Sequence, residues 1–460
     1  TTSGWRMLMN SLSDGRAISL PALSTASGQM VSRSVGAYAA VRKQFKVPIG
    51  KFEGISEVLG RIAASTYTLN AVRGFTTAAI DSGEDPSVAS AIIKYHATER
   101  MRALVNDAMD ILGGRGISMG PSNFLGRGYQ GLPIAITVEG ANILTRNLII
   151  FGQGAIRCHP FLFSEMESVA NDDVAGFDAA LLGHGSLVMS NVSRGLFHSL
   201  TSGRLLTAPQ HGVRGHYYRQ FSRMSLAFAV TTEMVLMTLG GGLKRKESIS
   251  ARLGDVLSLL YLGSAVLKHH YDNGSPDDEL PLLEWSCQDL LYNIQLRLHE
   301  VINNLPGRFA AGLIRILTFP LGKPYRQPSD RLGQQCAELL LSSSTLRDRL
   351  TEGMYIPADN SEPVAQLEEA LEKTGAATPA LRKLRAAIKA GTLPQGDPET
   401  HVDAGAKAGI ITDQEAAGIH AAIAARKLVI QVDEFLPEYL TKERREWGNS
   451  NLDGVAGQSM

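Results

Sequence analysis

Apolar and small residues recur at helical spacing through most of this chain. Between Gly15 and Arg42 they fall at Ile18, Leu20, Leu23, Val31, Val35, Tyr38 and Val41, which predicts one long helix. It ends in the basic-aromatic segment VRKQFKVPIG, where Pro48 and Gly50 stop it. A second helix is expected from Phe52 to Ser82, on Ile55, Val58, Leu59, Ile62, Tyr67, Leu69 and Val72. SGEDPS reads as a charged turn with Pro86 at a helix start, and a third helix then runs from Val88 to Leu112, broken by Gly113, Gly114 and Gly116. Three such helices joined by short turns predict an antiparallel bundle. The stretch after the glycines reads as a basic loop. Glu139 is expected to open a fourth helix, because Ile143, Leu144, Leu148, Ile149 and Ile150 follow it at helical spacing.

Past His159-Pro160 the pattern predicts a short amphipathic link from Phe161 to Ala170, and helices near 174–202, 213–240, 250–271 and 279–305. Prolines 306, 320, 324, 328 and 357 then leave only short amphipathic pieces. From Pro363 the stripes are weaker, and a last helix is expected near 413–432. No alternating strand pattern and no internal repeat is found. The fold class expected is therefore all-α.

Composition narrows this picture little. The chain of 460 residues is 44% hydrophobic and 20% charged, enough to bury a core and to form two or more domains. Lys+Arg and Asp+Glu are both 45, so no net field draws nucleic acid or an anionic membrane. Cys158, Cys287 and Cys336 lack metal-ligand spacing and fit reduced packing thiols in a cytosol-facing protein. The histidines are scattered, and neither a metal motif nor a Ser/His/Asp arrangement stands out. The opening TTSGWRMLMN reads as a start inside a larger protein, without a signal or transit peptide. No transmembrane helix is expected, since Glu233 and a triple glycine interrupt the most apolar long window.

Candidate chemistry centres on Asp110 to Arg157. Glu139 follows the apolar Ile134, Ile136 and Val138 and precedes the small Gly140 and Ala141, which would let a flat ligand reach the backbone. Desolvation should raise such a carboxylate's pKa, as suits a general base near neutral pH, while a helix start pulls the other way. Spacing alone equally fits, and indeed favours, a glutamate that merely complements a helix dipole. GGRG at 113–116 can offer amides to a pyrophosphate, although it is also an ordinary helix-ending turn. Arg42, Lys43 and Phe45 suit a pyrophosphate and a flat ring, yet cations at a helix C-terminus need no ligand. Phe309 to Leu321, rimmed by Arg308, Arg315, Lys323 and Arg326, suits either a membrane surface or a neighbouring domain, with packing favoured.

In order and spacing these pieces resemble the C-terminal helical domain of the acyl-CoA dehydrogenase family. The family's Arg-Lys-x-Phe appears as Arg42-Lys43-Gln44-Phe45, its Gln-x-x-Gly-Gly-x-Gly as Asp110 to Gly116, and its Glu-Gly-Thr as Glu139-Gly140-Ala141. The resemblance covers roughly residues 1–165, a four-helix bundle. Residues 166–460 resemble the helical extension of the large bacterial, FadE-like members. The resemblance implies Glu139 as catalytic base, with Arg42 and Phe45 contacting FAD across a subunit interface. It further implies Asp110, Gly113, Gly114 and Ala141 at the cofactor, and Arg16 and Gly140 at the acyl-CoA substrate. Some members carry the base one residue before Arg16, where this chain has Gly15.

Two departures are Asp110 for the usual glutamine and Ala141 for the usual threonine. An aspartate beside a pyrophosphate repels it unless it points away or meets a ribose hydroxyl. The implied reaction is α,β-dehydrogenation of medium- and long-chain acyl-CoA to trans-2-enoyl-CoA in β-oxidation, with electrons passing to an electron-transfer flavoprotein. A shared flavin site implies a homodimer or higher oligomer. The family's N-terminal and β domains are missing from this chain, which is therefore expected to be inactive alone. The alternatives are a non-catalytic helical interaction module, which Asp110 and Ala141 permit, and an acyl-CoA oxidase.

Overall fold

The computed structural model describes residues 2–84, 86–152, 154, 159–357, 359 and 361–433. They are almost all helical. The first helix, α1 (Thr2–Val41), runs through Pro21 and ends where the chain turns back as a small hairpin. There β1 (Lys43–Gln44) pairs antiparallel with β2 (Val47–Pro48), Lys43 opposite Pro48 and Gln44 opposite Val47. Strands of two residues are too short for alternation to reveal them, so the expectation of no strands missed this hairpin. Helices α2 (Glu53–Asp81) and α3 (Ser87–Leu112) lie within a residue of their expected bounds.

The fourth helix departs from expectation. The supposed basic loop is helix α4 (Gly126–Thr137), which buries Leu132 and Ala135 and contains Pro133. Three glycines and a proline in twelve residues hid its stripe. Glu139 does not open a helix, because Glu139 and Gly140 both take positive φ, 54° and 99°, which no right-handed helix accommodates. It stands in the turn between α4 and α5 (Asn142–Gly152), two helices bent by 45° across this break. Residues Thr145–Ile149 of α5 form a π-helical turn.

Further along come α6 (Leu162–Ala170), α7 (Val174–Leu200), α8 (Gly212–Leu239), α9 (Glu247–Asp272) and α10 (Leu280–Asn304). They are followed by α11 (Arg308–Thr318), α12 (Asp330–Glu338) and α13 (Thr345–Leu350). The chain ends its described course with α14 (Pro363–Lys389), α15 (Val402–Lys407) and α16 (Asp413–Ile430).

Two compact units result, residues 1–107 with 130–355, and residues 108–129 with 356–460. In the first, α2 is central and packs on α1, α9, α10 and α12. Glycines set the closest approaches: a Cβ on Gly28 of α1 would lie 3.0 Å from Thr66 Oγ1 of α2 and 3.3 Å from Leu104 of α3. A Cβ on Gly60 would come within 2.3 Å of the Gly333 carbonyl, so α2 and α12 touch backbone to backbone. Arg146 of α5 holds Asp255 of α9 through two hydrogen bonds of 2.8 and 2.6 Å. The second unit has its own apolar core, including Leu384, Ile388, Leu393, Val402, Ile411 and Ile419. Thr412 and Glu415 form a reciprocal capping box at the start of α16.

By length and composition, α8 continued through Arg245 and α9 could each cross a bilayer, as could the bent pair α4–α5 taken together. The sequence reading expected no such helix. In the fold α9 is an interior helix whose most apolar window is 78% buried.

Candidate active site

The turn that carries Glu139 is held from below by a lysine. Lys94, on α3, is fully buried and its Nζ donates to the carbonyls of Ile136 (3.1 Å) and Gly140 (2.7 Å) and to Oδ1 of Asn142 (2.6 Å). Asn142 in turn donates through Nδ2 to Thr98 Oγ1 (3.0 Å) and to Glu99 (2.7 Å), so α3 grips both sides of the turn. Burial pulls Lys94 down to about 8, as does the charge of Arg16, while Glu139 and Glu99 oppose the shift. Sequence reading passed over Lys94. Its one signal was a charged residue in the buried stripe Ala91, Lys94, Thr98, Met101 of α3.

Above the turn stand Gly15 and Arg16 of α1. A Cβ on Gly15 would lie 3.6 Å from Glu139 Oε1, so α1 adjoins this carboxylate. Burial lowers the pKa of Arg16, and the negative charge of Glu139 opposes that. Glu139 Oε2 and Arg16 Nε are both buried, and neither has a hydrogen-bond partner among the described residues. Unmatched polar atoms of opposite character on neighbouring groups suit a polar ligand between them. Ile134 (69% exposed), Val138, Ile143 (79%), Leu144 and Leu148 surround them with uncovered apolar surface. Gly140 borders the site and Ala141 is exposed beside it.

Arg42 and Phe45 lie elsewhere in the same unit. Helical rise puts roughly 38 Å of α1 between Arg16 and Val41, so Arg42 cannot serve the same small-molecule atoms as Glu139 within one chain. Arg42 lies over the Tyr38 ring at 5.6 Å and hydrogen-bonds its hydroxyl. Phe45 and Lys46 both take left-handed φ, 50° and 65°, at the hairpin tip, where Asn-Gly would be the unstrained choice. The Phe45 ring is 90% exposed and meets only the edge of Phe52 at 6.5 Å.

In the second unit, Asp110 is exposed near the end of α3, and Gly113 turns the chain with φ 57°. A Cβ at Gly113 or Gly114 would meet nothing within 4 Å, so the backbone lies open to a ligand. Within this unit, the open glycines offer backbone amides of the kind that suit a diphosphate. Residues 115–123, which begin in the short helical turn Gly114–Ile117, are tied down by the end of the described chain: Arg115 donates to the Gln431 carbonyl (2.7 Å) and the Ser122 amide to Asp433 (3.1 Å).

A further polar cluster appears away from these residues. His159 and His184 face Glu233 of α8 at 2.8 and 3.1 Å, and the other nitrogen of His184 meets Glu165 of α6 at 2.8 Å. Two imidazoles and a carboxylate are a plausible metal donor set. However, His159 Nδ1 accepts from the Phe161 and Leu162 amides, which leaves its Nε2 as the protonated nitrogen, donating to Glu233. The cluster is therefore satisfied by protons. No sequence spacing announced it, because its members come from three helices and a loop. Cys287 and Cys336 are buried and free, as packing thiols should be, and Cys158 lies outside the described residues.

Known proteins resemble this chain in sequence and fold. Residues 156–435 match the family described as acyl-CoA dehydrogenase, C-terminal, bacterial type, and residues 2–152 the acyl-CoA dehydrogenase C-terminal domain. Proteins named probable acyl-CoA dehydrogenase FadE10 in Mycobacterium bovis and Mycobacterium tuberculosis are 24% identical over 273 residues, 57% of this chain. The chain spans only 41% of the length of these curated relatives. The crystal structure of an acyl-CoA dehydrogenase complexed with FAD from Bacillus anthracis shares the fold, with a TM-score of 0.54 and 16% identity over 72% of this chain and 56% of that one.

Proposed function

Since this chain belongs to the acyl-CoA dehydrogenase family, as its C-terminal portion, we propose that the complete protein is an FAD-dependent dehydrogenase of medium- and long-chain acyl-CoA in β-oxidation. Glu139 is its base. The observation that carries this reading is the Glu139 carboxylate itself, aimed by a left-handed turn at Gly15 and Arg16 with one buried oxygen unmatched. That oxygen would take the α-proton of the thioester, and the uncovered apolar surface around it would be closed by the acyl chain and the missing domains. Arg16 would balance the charge near the CoA moiety, and Gly140 would let the thioester approach the backbone.

FAD, when bound, supplies the acceptor for the β-hydrogen, so that trans-2-enoyl-CoA is formed. In this chain Gly113 and Gly114 would hold its diphosphate with Asp110 beside them, and Ala141, in the other unit, is proposed as a further cofactor contact. Arg42 and Phe45 would serve the flavin of a second subunit, a reading supported by the length of α1 between them and Glu139. The functional protein is accordingly at least a dimer, and its electrons pass to an electron-transfer flavoprotein.

The 460-residue chain alone is proposed to be inactive, because most of the pocket wall belongs to the missing portion. We also propose peripheral contact of a cytoplasmic enzyme with the inner membrane through α11. One face of that helix packs Ile314 and Leu317 inward, while Phe309 (86% exposed), Ile316 and, just beyond it, Leu321 stay uncovered beside Arg308, Arg315 and Lys323.

The test uses the complete protein, wild type and Glu139→Gln, mixed anaerobically with a long-chain acyl-CoA while flavin absorbance is followed. Bleaching in the wild type alone, with flavin bound to both, is the expected result. Equal bleaching in the variant would remove Glu139 as base. A complete protein that binds no flavin would instead be an interaction module, and one that makes hydrogen peroxide on turnover would be an oxidase.

A further inference from the structure

We propose that Lys94 is a positioning residue for Glu139: its buried ammonium pins the carbonyls on either side of the glutamate and so holds the carboxylate in its left-handed turn. This rests on Glu139 being the base.

The geometry points one way. An ammonium has three donors, and all three are used, two of them on the backbone that brackets Glu139 and the third on Asn142. Ile136 lies in the last turn of α4, whose carbonyls have no partner within the helix, and Gly140 lies beyond the break. With Lys94 removed, the Ile136 carbonyl would lose this donor and the Gly140 carbonyl would be left with Thr145 Oγ1 at 3.2 Å, so the turn would gain by rotating to satisfy the first. Glu139 is the residue that would move. Its φ of 54° is one that a side-chain-bearing residue holds only when its surroundings impose it.

The grip is also rigid. Thr98 and Glu99 lie one turn after Lys94 on α3, and these two fix the Asn142 amide whose oxygen accepts from Lys94. The turn is thereby mounted on a long helix at three points. Lys94 is itself fully buried, so its effect on the reaction runs through the glutamate and its turn.

The complete protein as wild type, Glu139→Gln and Lys94→Met separates the possibilities. Flavin content, acyl-CoA affinity from spectral titration, the anaerobic bleaching rate and amide exchange of residues 138–142 are measured on each. Lys94→Met is expected to hold flavin and bind acyl-CoA like the wild type, to bleach about 100-fold more slowly, and to exchange faster only in that segment. Bleaching at the wild-type rate, or a matching loss of acyl-CoA affinity, would overturn the proposal. Should Lys94→Met fail to bind flavin, Asn142→Ser removes only the amide behind the ammonium, and an unchanged bleaching rate in that folded variant would overturn it as well. If Glu139→Gln itself bleaches normally, the identity of the base is at fault and not the role of the lysine.

Discussion

Left-handed backbone falls on single residues, among them Phe45, Lys46, Glu139 and Gly140. Gly140 has φ 99°, a conformation that side chains rarely adopt, and a Cβ there would lie 3.3 Å from Thr145 Oγ1. Gly140→Ala is therefore expected to lower stability by about 1–3 kcal/mol, read as a fall in the urea midpoint. At the hairpin tip the sign reverses. Lys46→Gly removes a left-handed non-glycine residue and should raise stability by about 0.5–1 kcal/mol in thermal melts. Phe45→Gly should gain similarly and yet weaken flavin retention in the complete protein. Glu139 and the hairpin residues were legible from sequence because motif and spacing are local. Lys94 was not, since burial of its charge depends on acceptors 42 to 48 residues away.

At the level of elements, glycines decide which helices can meet. Gly60→Ala would drive a Cβ into the Gly333 carbonyl, and backbone cannot yield as a side chain does. We expect a loss of about 1–3 kcal/mol. Gly74→Ala, exposed on the same helix with nothing within 4 Å, should instead add about 0.5–1 kcal/mol. Chemical denaturation of the two variants side by side tests this contrast.

Helix α7 is held to α6 and α8 through His184 between Glu165 and Glu233. Burial opposes the charge of that imidazole, but the two carboxylates outweigh it and raise its pKa. A raised folded pKa means that the stabilisation is complete below the unfolded value of 6.5 and is lost as pH rises through the folded one. The stability difference between wild type and His184→Gln should therefore be largest in mild acid and shrink above neutrality. A difference that grows with pH would contradict this. Helix α4 shows how sequence fails at this scale, because its glycines and proline read as a loop while Leu132 and Ala135 bury its inner face.

For the whole molecule, the decisive fact is incompleteness. Among the described residues nothing covers the exposed apolar side chains around Glu139, and the chain spans 41% of the length of its curated relatives. The purified chain should show no acyl-CoA turnover. Co-expression with the missing portion should restore it if the surface is a docking face.

The sequence by itself determined most of the helical stretches, α4 excepted, and that a glutamate stands between an apolar run and small residues. Those properties arise from contacts within a few positions along the chain. Only the tertiary structure decided that Glu139 sits in a left-handed turn, that Lys94 is buried beneath it and that three helices meet around Glu233. It also decided that residues 108–129 form one unit with the described residues from 356 to 433. Such arrangements depend on which distant groups lose their water together, and no local pattern encodes that.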